Sequence, residues 1–298
     1  MPFASNKGCR LHYAVEGSGS PLLLIPGLGG STRQVAQISA LLAPTHQVIS
    51  VDPRGAGLSD KPDIPYDGEL LCADMLCILD ELGVDSVDVV GISFGGMIAQ
   101  EMALRAPQRL RSQLLVSSYR ASDAWTDRMW QVRLQLLHEL GMAAHFQLAL
   151  MFLFSPHSFR ADAATVAKLE AAFTQSPPDP VGYTRQLEFC RDHDTTTRLA
   201  DVTVPTLVIT GADDILASPA QGRELADAIP GAHYLELPQA AHLFMISAPQ
   251  SFAELIRQSL NDLRHSGNFK PANSLAAFLS GPEQQPQGSH SEGVTDHE

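Results

Sequence analysis

The chain has 298 residues, 44% of them apolar and 18% charged. At roughly 100–200 residues per domain this is one large domain or two small ones, with enough core to need neither metal nor disulfide. With 20 Lys and Arg against 33 Asp and Glu, the net charge is −13. That argues against nucleic acid and anionic membrane as main partners, because both require basic surface.

The N-terminus, Met-Pro-Phe-Ala-Ser-Asn-Lys-Gly-Cys-Arg, has no apolar signal core. The longest apolar run, 148–154, is far short of the roughly 20 residues of a membrane span. Cys9, Cys72, Cys77 and Cys190 form neither a C-x-x-C pair nor a Cys/His cluster, so no metal site or redox motif is implied. These features predict a reduced, cytoplasmic protein with no membrane contact.

In chain order, short apolar runs at 22–25, 47–51, 86–90, 114–117, 206–210 and 234–237 predict strands. Near-continuous apolar runs mark strands covered on both faces, as in a parallel sheet. Between them lie helical patterns at 35–42, at 70–82 ahead of Gly83, at 97–105 ahead of Pro107, at 222–229 and at 251–263. The alternation predicts an α/β fold with a doubly wound, mostly parallel sheet.

From about 119 to 201 this rhythm breaks. Helical patterns at 122–140, 142–154, 161–173 and 180–191 follow one another with no clear strand, and both Trp125 and Trp130 lie among them. An all-helical insertion late in the sheet is expected to cap the C-terminal strand ends, where open α/β sheets bind ligands. The predicted organisation is a core of 1–118 and 202–264, a cap of 119–201 and a tail of 265–298. The tail is polar and rich in Gln, Gly and Pro from Gly281 onward and is expected to be disordered, although its apolar piece at 275–279 could dock on the body or on a partner.

The strongest chemical signal is Gly91-Ile92-Ser93-Phe94-Gly95-Gly96, which follows an apolar run and opens a helical pattern. G-x-S-x-G between strand and helix is a nucleophile elbow. The serine sits on a tight turn at the strand end, flanked by glycines that make room for its neighbours, above a helix N-terminus that favours negative charge. Ser93 is therefore the candidate nucleophile.

On these residues the chain resembles the α/β-hydrolase fold family across roughly 8–263. Ile25-Pro26-Gly27-Leu28-Gly29-Gly30 is similar to the family's oxyanion-hole loop, with Pro26 where a His is usual. Asp52-Pro53-Arg54-Gly55-Ala56-Gly57-Leu58-Ser59 matches the D-x-R-G-x-G-x-S turn of cofactor-free members. The resemblance implies an acid and then a base late in the chain. Gly211-Ala212-Asp213-Asp214 fits the pattern G-x-x-D and selects Asp214 over Asp213, with an acid near Asp123 as a further alternative. Beyond Asp214 lie His233, His242, His265, His290 and His297; only His242 falls in the loop after the last predicted strand. The backbone N–H groups of Leu28 and Phe94 are the expected oxyanion donors. Met97, Trp125, Phe152, Leu243 and Phe244 are candidates for the pocket wall, and Arg54 is expected to brace loops rather than hold substrate.

The resemblance implies a cofactor-free, metal-free serine hydrolase acting on a small, mostly apolar carboxylic ester or lactone. Enol-lactone hydrolases and aminoacrylate hydrolases look most similar. Amide, carbamate or C–C bond hydrolysis by the same residues, or ligand sensing on a hydrolase scaffold, are the alternatives.

Overall fold

The computed structural model describes residues 2–161, 163–265 and 269–279. Its strands are β1 (Phe3–Asn6), β2 (Cys9–Glu16), β3 (Ser20–Ile25), β4 (His46–Val51), β5 (Val87–Ile92), β6 (Leu110–Val116), β7 (Thr206–Gly211) and β8 (His233–Leu237). They form an eight-stranded sheet in the order β1-β2-β4-β3-β5-β6-β7-β8. β1 and β2 pair antiparallel and β2 joins β4 antiparallel, while β4 through β8 run parallel.

The helices are α1 (Thr32–Leu42), α2 (Gly68–Glu81), α3 (Phe94–Arg105), α4 (Ala124–Leu153), α5 (Pro156–Ala161), α6 (Ala163–Gln175), α7 (Pro180–Asp192), α8 (Pro219–Ala228), α9 (Phe244–Ser247), α10 (Pro249–His265) and α11 (Pro271–Leu279). Local chemistry sets several of their ends. The side chains of Asp67, Asp123 and Asp179 accept from backbone N–H groups in the first turns of α2, α4 and α7. Gly83, at φ +63°, lets the chain turn away after α2.

The continuous apolar runs have a direct cause. On the parallel strands, side chains alternate between two buried cores. Leu23, Ile25, Ile49, Val89 and Val208 enter the core that holds Met75 and Ile78 of α2 and Met97 and Met102 of α3. Leu24, Val48, Val90, Leu114 and Ile209 enter the core built with α1 and α10. Each fully buried aliphatic side chain contributes about 1.5–3 kcal/mol relative to exposure. The edge strand β1 and its neighbour β2 escape the apolar-run pattern because polar and apolar residues interleave there. β1 alternates exposed and buried positions, and the C-terminal part of β2 is solvated.

Between β6 and β7 the chain forms α4–α7. Within α4, Gly141 has φ 79° and ψ −177°, which splits the helix where the 122–140 and 142–154 patterns meet. By length and composition α4 could cross a membrane, but the break at Gly141 and packing on α6 and α7 make it a bent helix of this insertion.

The expectation of a disordered tail fails for its first part. α11 packs against α10 and β8. Phe278 is buried with its ring edge on Phe244, at 5.8 Å between centroids, and Ser259 Oγ donates to Ser274 Oγ at 3.1 Å. Apolar burial by this short segment offsets its ordering entropy. Residues 266–268 and 280–298, the rest of the expected disorder, lie outside the described residues.

Candidate active site

The strand order places the site. From β3 the chain moves outward to β4 and then crosses back to β5 on the other side of β3. This reversal opens a crevice at the carboxyl ends of β3 and β5, the usual ligand position in such sheets. The loop after β3 carries Gly27–Gly30, and the turn after β5 carries Ser93.

Ser93 has φ 54° and ψ −113°, a conformation rare outside glycine. Such strain typically costs about 1–3 kcal/mol and persists only where surroundings over-determine it. Here they do. Ser93 N–H donates to the Val116 carbonyl at 2.8 Å, and its own carbonyl accepts from Gly96 and Met97 as α3 begins. A Cβ at Gly95 would run into the Ile25 and Pro26 carbonyls, and one at Gly96 would press on Ser118. The glycines of the elbow are therefore required by close approach.

His242, on the loop after β8, brings Nε2 to 3.0 Å from Ser93 Oγ and Nδ1 to 2.9 Å from Asp214 Oδ2. Asp214 Oδ1 accepts from the N–H groups of Leu216 and Ala217, each at 2.9 Å. With the carboxylate fixed in this way, Nδ1–H donates to Asp214 and Nε2 is left to accept from the serine hydroxyl. All three side chains are buried, and Ser93 is the most exposed of them at 9%. The alternative acids stand elsewhere. Asp213 is partly exposed and is held through its N–H to the Ala240 carbonyl, while Asp123 caps α4.

Above the hydroxyl lies a cavity of about 110 Å³. Leu28, Ile38 and Ile246 line it from the core side; Trp130, Phe146 and Tyr183 line it from α4 and α7. Of the expected wall residues, Leu243 lines the cavity. Met97 faces the core shared with α2, and Phe244 packs on Phe252 and Phe278. Trp125 is 53% exposed, donates its indole N–H to the Ile215 carbonyl at 2.8 Å and stacks edge-on with Phe152. None of these four side chains forms the cavity wall. Their places in the sequence, beside Ser93, beside His242 or on the insertion, do not settle which face they use.

Sequence reasoning missed Gln186. Its Oε1 accepts from Gly29 N–H at 2.8 Å and its Nε2 donates to the Arg54 carbonyl at 2.7 Å. With Pro26 in place of the usual His, a side chain of α7 thus ties together the loop after β3 and the turn after β4. Gly55 and Gly182 bring the turn after β4 and the first turn of α7 into backbone contact, where a side chain on either would collide. No local motif marks Gln186, because its partners are 132 and 157 residues away. Arg54 is a brace: it holds Asp74 with two hydrogen bonds, at 2.6 and 2.8 Å, away from the cavity.

Among the described residues no group of three or more His, Cys, Asp or Glu could hold a metal ion. Two buried histidines near the site matter for stability. Burial is the main cause that pushes His145 down to about 4, helped by the nearby Arg133, and burial does the same to His193, also to about 4. In the unfolded chain both titrate near ~6.5. The unfolded state therefore binds more protons between these values, so their contribution to stability is complete above pH 6.5 and declines as pH falls toward 4. The melting temperature should drop between pH 7 and 4.5, and replacing both residues with Gln should flatten part of that slope; calorimetry across this range checks it.

Three comparisons bear on this geometry. The family model for the alpha/beta hydrolase fold matches residues 20–249. A protein of Azorhizobium caulinodans provisionally named carbamate hydrolase RutD is 32% identical over 256 residues, covering 86% of this chain and 97% of its own. The 3-oxoadipate enol-lactonase 2 of Acinetobacter baylyi is 30% identical, covering 81% and 90%. The crystal structure of the enol-lactonase from Burkholderia xenovorans LB400 superposes with a TM-score of 0.80 at 30% identity, covering 87% of this chain and all of that one.

Proposed function

Because the chain belongs to the alpha/beta hydrolase fold family, we propose that it is a serine hydrolase that cleaves a small carboxylic ester or lactone through an acyl-enzyme. The observation that carries this reading is the hydrogen-bonded relay Ser93–His242–Asp214 opening into a mostly apolar cavity. Ser93 Oγ attacks the substrate carbonyl while His242 Nε2 takes its proton. Asp214 holds the imidazole tautomer and stabilises its charged form without taking the proton itself.

The tetrahedral oxyanion is held by the N–H groups of Phe94, at the start of α3, and of Leu28. In the same loop, Gly29 N–H is taken by Gln186 and Gly30 N–H by the Gly27 carbonyl. His242 then gives its proton to the departing alkoxide oxygen, leaving Ser93 acylated. A water molecule, deprotonated by His242, attacks the acyl carbon and releases the acid, and the serine recovers its proton.

A second reading, carbamate hydrolysis by the same relay, is favoured by the likeness to the relative from Azorhizobium. Stopped-flow hydrolysis of p-nitrophenyl acetate, butyrate and octanoate, alongside a p-nitrophenyl carbamate, tests both. An ester reading expects a nitrophenolate burst equal to the enzyme concentration with the short acyl chains. A burst with the carbamate alone would favour the second reading, and turnover that survives in Ser93→Ala would sink both.

Gln186→Leu should lower kcat by about 10- to 10²-fold, less than the roughly 10²–10³-fold cost of removing an oxyanion donor outright, because it loosens the loop that carries the Leu28 donor. It leaves Gly29 N–H and the Arg54 carbonyl unpaired at a buried junction. The steady-state kcat, read beside an unfolding curve, separates this loss from a general loss of fold.

A further inference from the structure

The relay works only if the His242 ring is held within a fraction of an ångström of its place against Ser93. The segment that carries the ring has little stability of its own. α9, which opens at Phe244 just after His242 and Leu243, has four residues, too few to persist as an isolated helix. Met245 and Ile246 of this helix also line the cavity. Where the base and this part of the wall stand is therefore decided by what the segment touches.

Its main chain is held from the end of β6 and from the insertion. Ser117 Oγ donates to the His242 carbonyl at 3.2 Å, and Leu243 N–H donates to the Leu153 carbonyl of α4 at 3.1 Å. Its side-chain anchor is Phe244, which is 5% exposed. Phe252 of α10 meets the Phe244 ring edge-on at 5.4 Å between centroids, and Phe278 of α11 does so at 5.8 Å, with interplanar angles of 87° and 85°. Edge-to-face pairs of this kind add to the stabilisation from burial alone. α11 lies beyond residue 249, where the match to the family model ends, and contributes no residue to the relay. It has a seat of its own. Ser274 Oγ accepts from Ser259 Oγ of α10 at 3.1 Å, and Leu275 packs on the same core. From that seat Phe278, 1% exposed, reaches Phe244.

We propose that Phe278 is a positioning residue of this hydrolase: through Phe244 it fixes α9 and so keeps His242 Nε2 on the serine hydroxyl. Truncating Phe278 leaves a void beside the Phe244 ring. The ring turns toward that void, and α9 follows it, because a helix of four residues has no stiffness to resist. His242, two residues upstream, moves with it. Ser93 does not, since the elbow is fixed separately through the Val116 carbonyl. The base and the nucleophile are thereby drawn out of register. This inference rests on the hydrolase reading of Ser93, but the tether it describes can be measured without turnover.

The test compares Phe278→Ala with Ile78→Ala, which truncates a fully buried side chain of α2 in the opposite core. Urea unfolding reads the stability each has lost, and kinetics are run where both are folded. On p-nitrophenyl acetate Phe278→Ala should lower kcat by about 10- to 10²-fold, the cost of a small misplacement of a reacting group, with KM changed less than about threefold. The rate at which a fluorophosphonate labels Ser93 should fall alongside, whereas Ile78→Ala should leave kcat and labelling within about twofold of the wild type. Phe278→Leu, which keeps apolar bulk without the ring edge, should show a smaller loss of the same kind and carries the test if the alanine variant does not fold. Hydrogen–deuterium exchange on peptides spanning 242–248 should quicken in the Phe278 variants and not in Ile78→Ala. Quickened exchange there in a protein that neither turns over esters nor takes the label would uphold the tether and leave only the reading of Ser93 to fall. Ser93-dependent hydrolysis with kcat and labelling no lower in the Phe278 variants than in Ile78→Ala, or exchange over 242–248 unchanged by them, would overturn the proposal and leave the hydrolase reading intact.

Discussion

Ser93→Ala and His242→Ala should each reduce kcat on an activated ester by on the order of 10⁴–10⁶, whereas Asp214→Asn should cost on the order of 10⁴. The asymmetry follows from the geometry. Without the hydroxyl there is no bond to the acyl carbon, and without Nε2 at 3.0 Å nothing removes the serine proton. Asp214 fixes the imidazole tautomer and supports its charged form through the 2.9 Å contact to Nδ1, but takes no part in bond making itself. The double variant Ser93→Ala/His242→Ala should be scarcely slower than either single one, because the two residues act as a unit. Additive losses would mean that they work in separate steps. Pre-steady-state and steady-state kinetics on p-nitrophenyl butyrate decide between these.

The largest loss of stability should come from Asp74→Ala, a residue outside the relay. Asp74 is fully buried, takes two hydrogen bonds from Arg54 and accepts a third from Asn6 Nδ2 at 2.7 Å. Removing the carboxylate strands the buried guanidinium, at a cost of about 3–5 kcal/mol. For a chain of this size that lowers the melting temperature by roughly 10 °C. Replacing both partners, Arg54→Met with Asp74→Leu, should recover most of that loss, since no charge is then left unpaired. Urea titrations of the single and double variants give the two free energies directly. A single variant as stable as the wild type would show that Arg54 has another anion or access to water.

The parallel core of the fold was legible in the sequence because both faces of β3 to β8 are covered, so that burial writes itself as unbroken apolar runs. The same rule hid β1 and β2, whose partly solvated positions interrupt the pattern. Ser93 was legible because its strained turn demands glycines at fixed offsets, and His242 and Asp214 because they follow strand ends in a recognisable order. The cavity wall was not. Which face of α3, α4 or α9 turns toward Ser93 depends on how the inserted helices dock, and that docking is set by contacts such as Gly55 against Gly182 and Gln186 against Gly29.

The central claim is that Ser93, activated by His242, is the atom acylated during turnover. Mass spectrometry of the protein after reaction with a fluorophosphonate, followed by proteolysis, tests it most directly. The account predicts one adduct per chain, on the peptide that carries Ser93, formed far more slowly in His242→Ala and blocked by prior acylation with a slowly hydrolysed ester. An active protein that carries no adduct, or carries it on another residue, would contradict the claim.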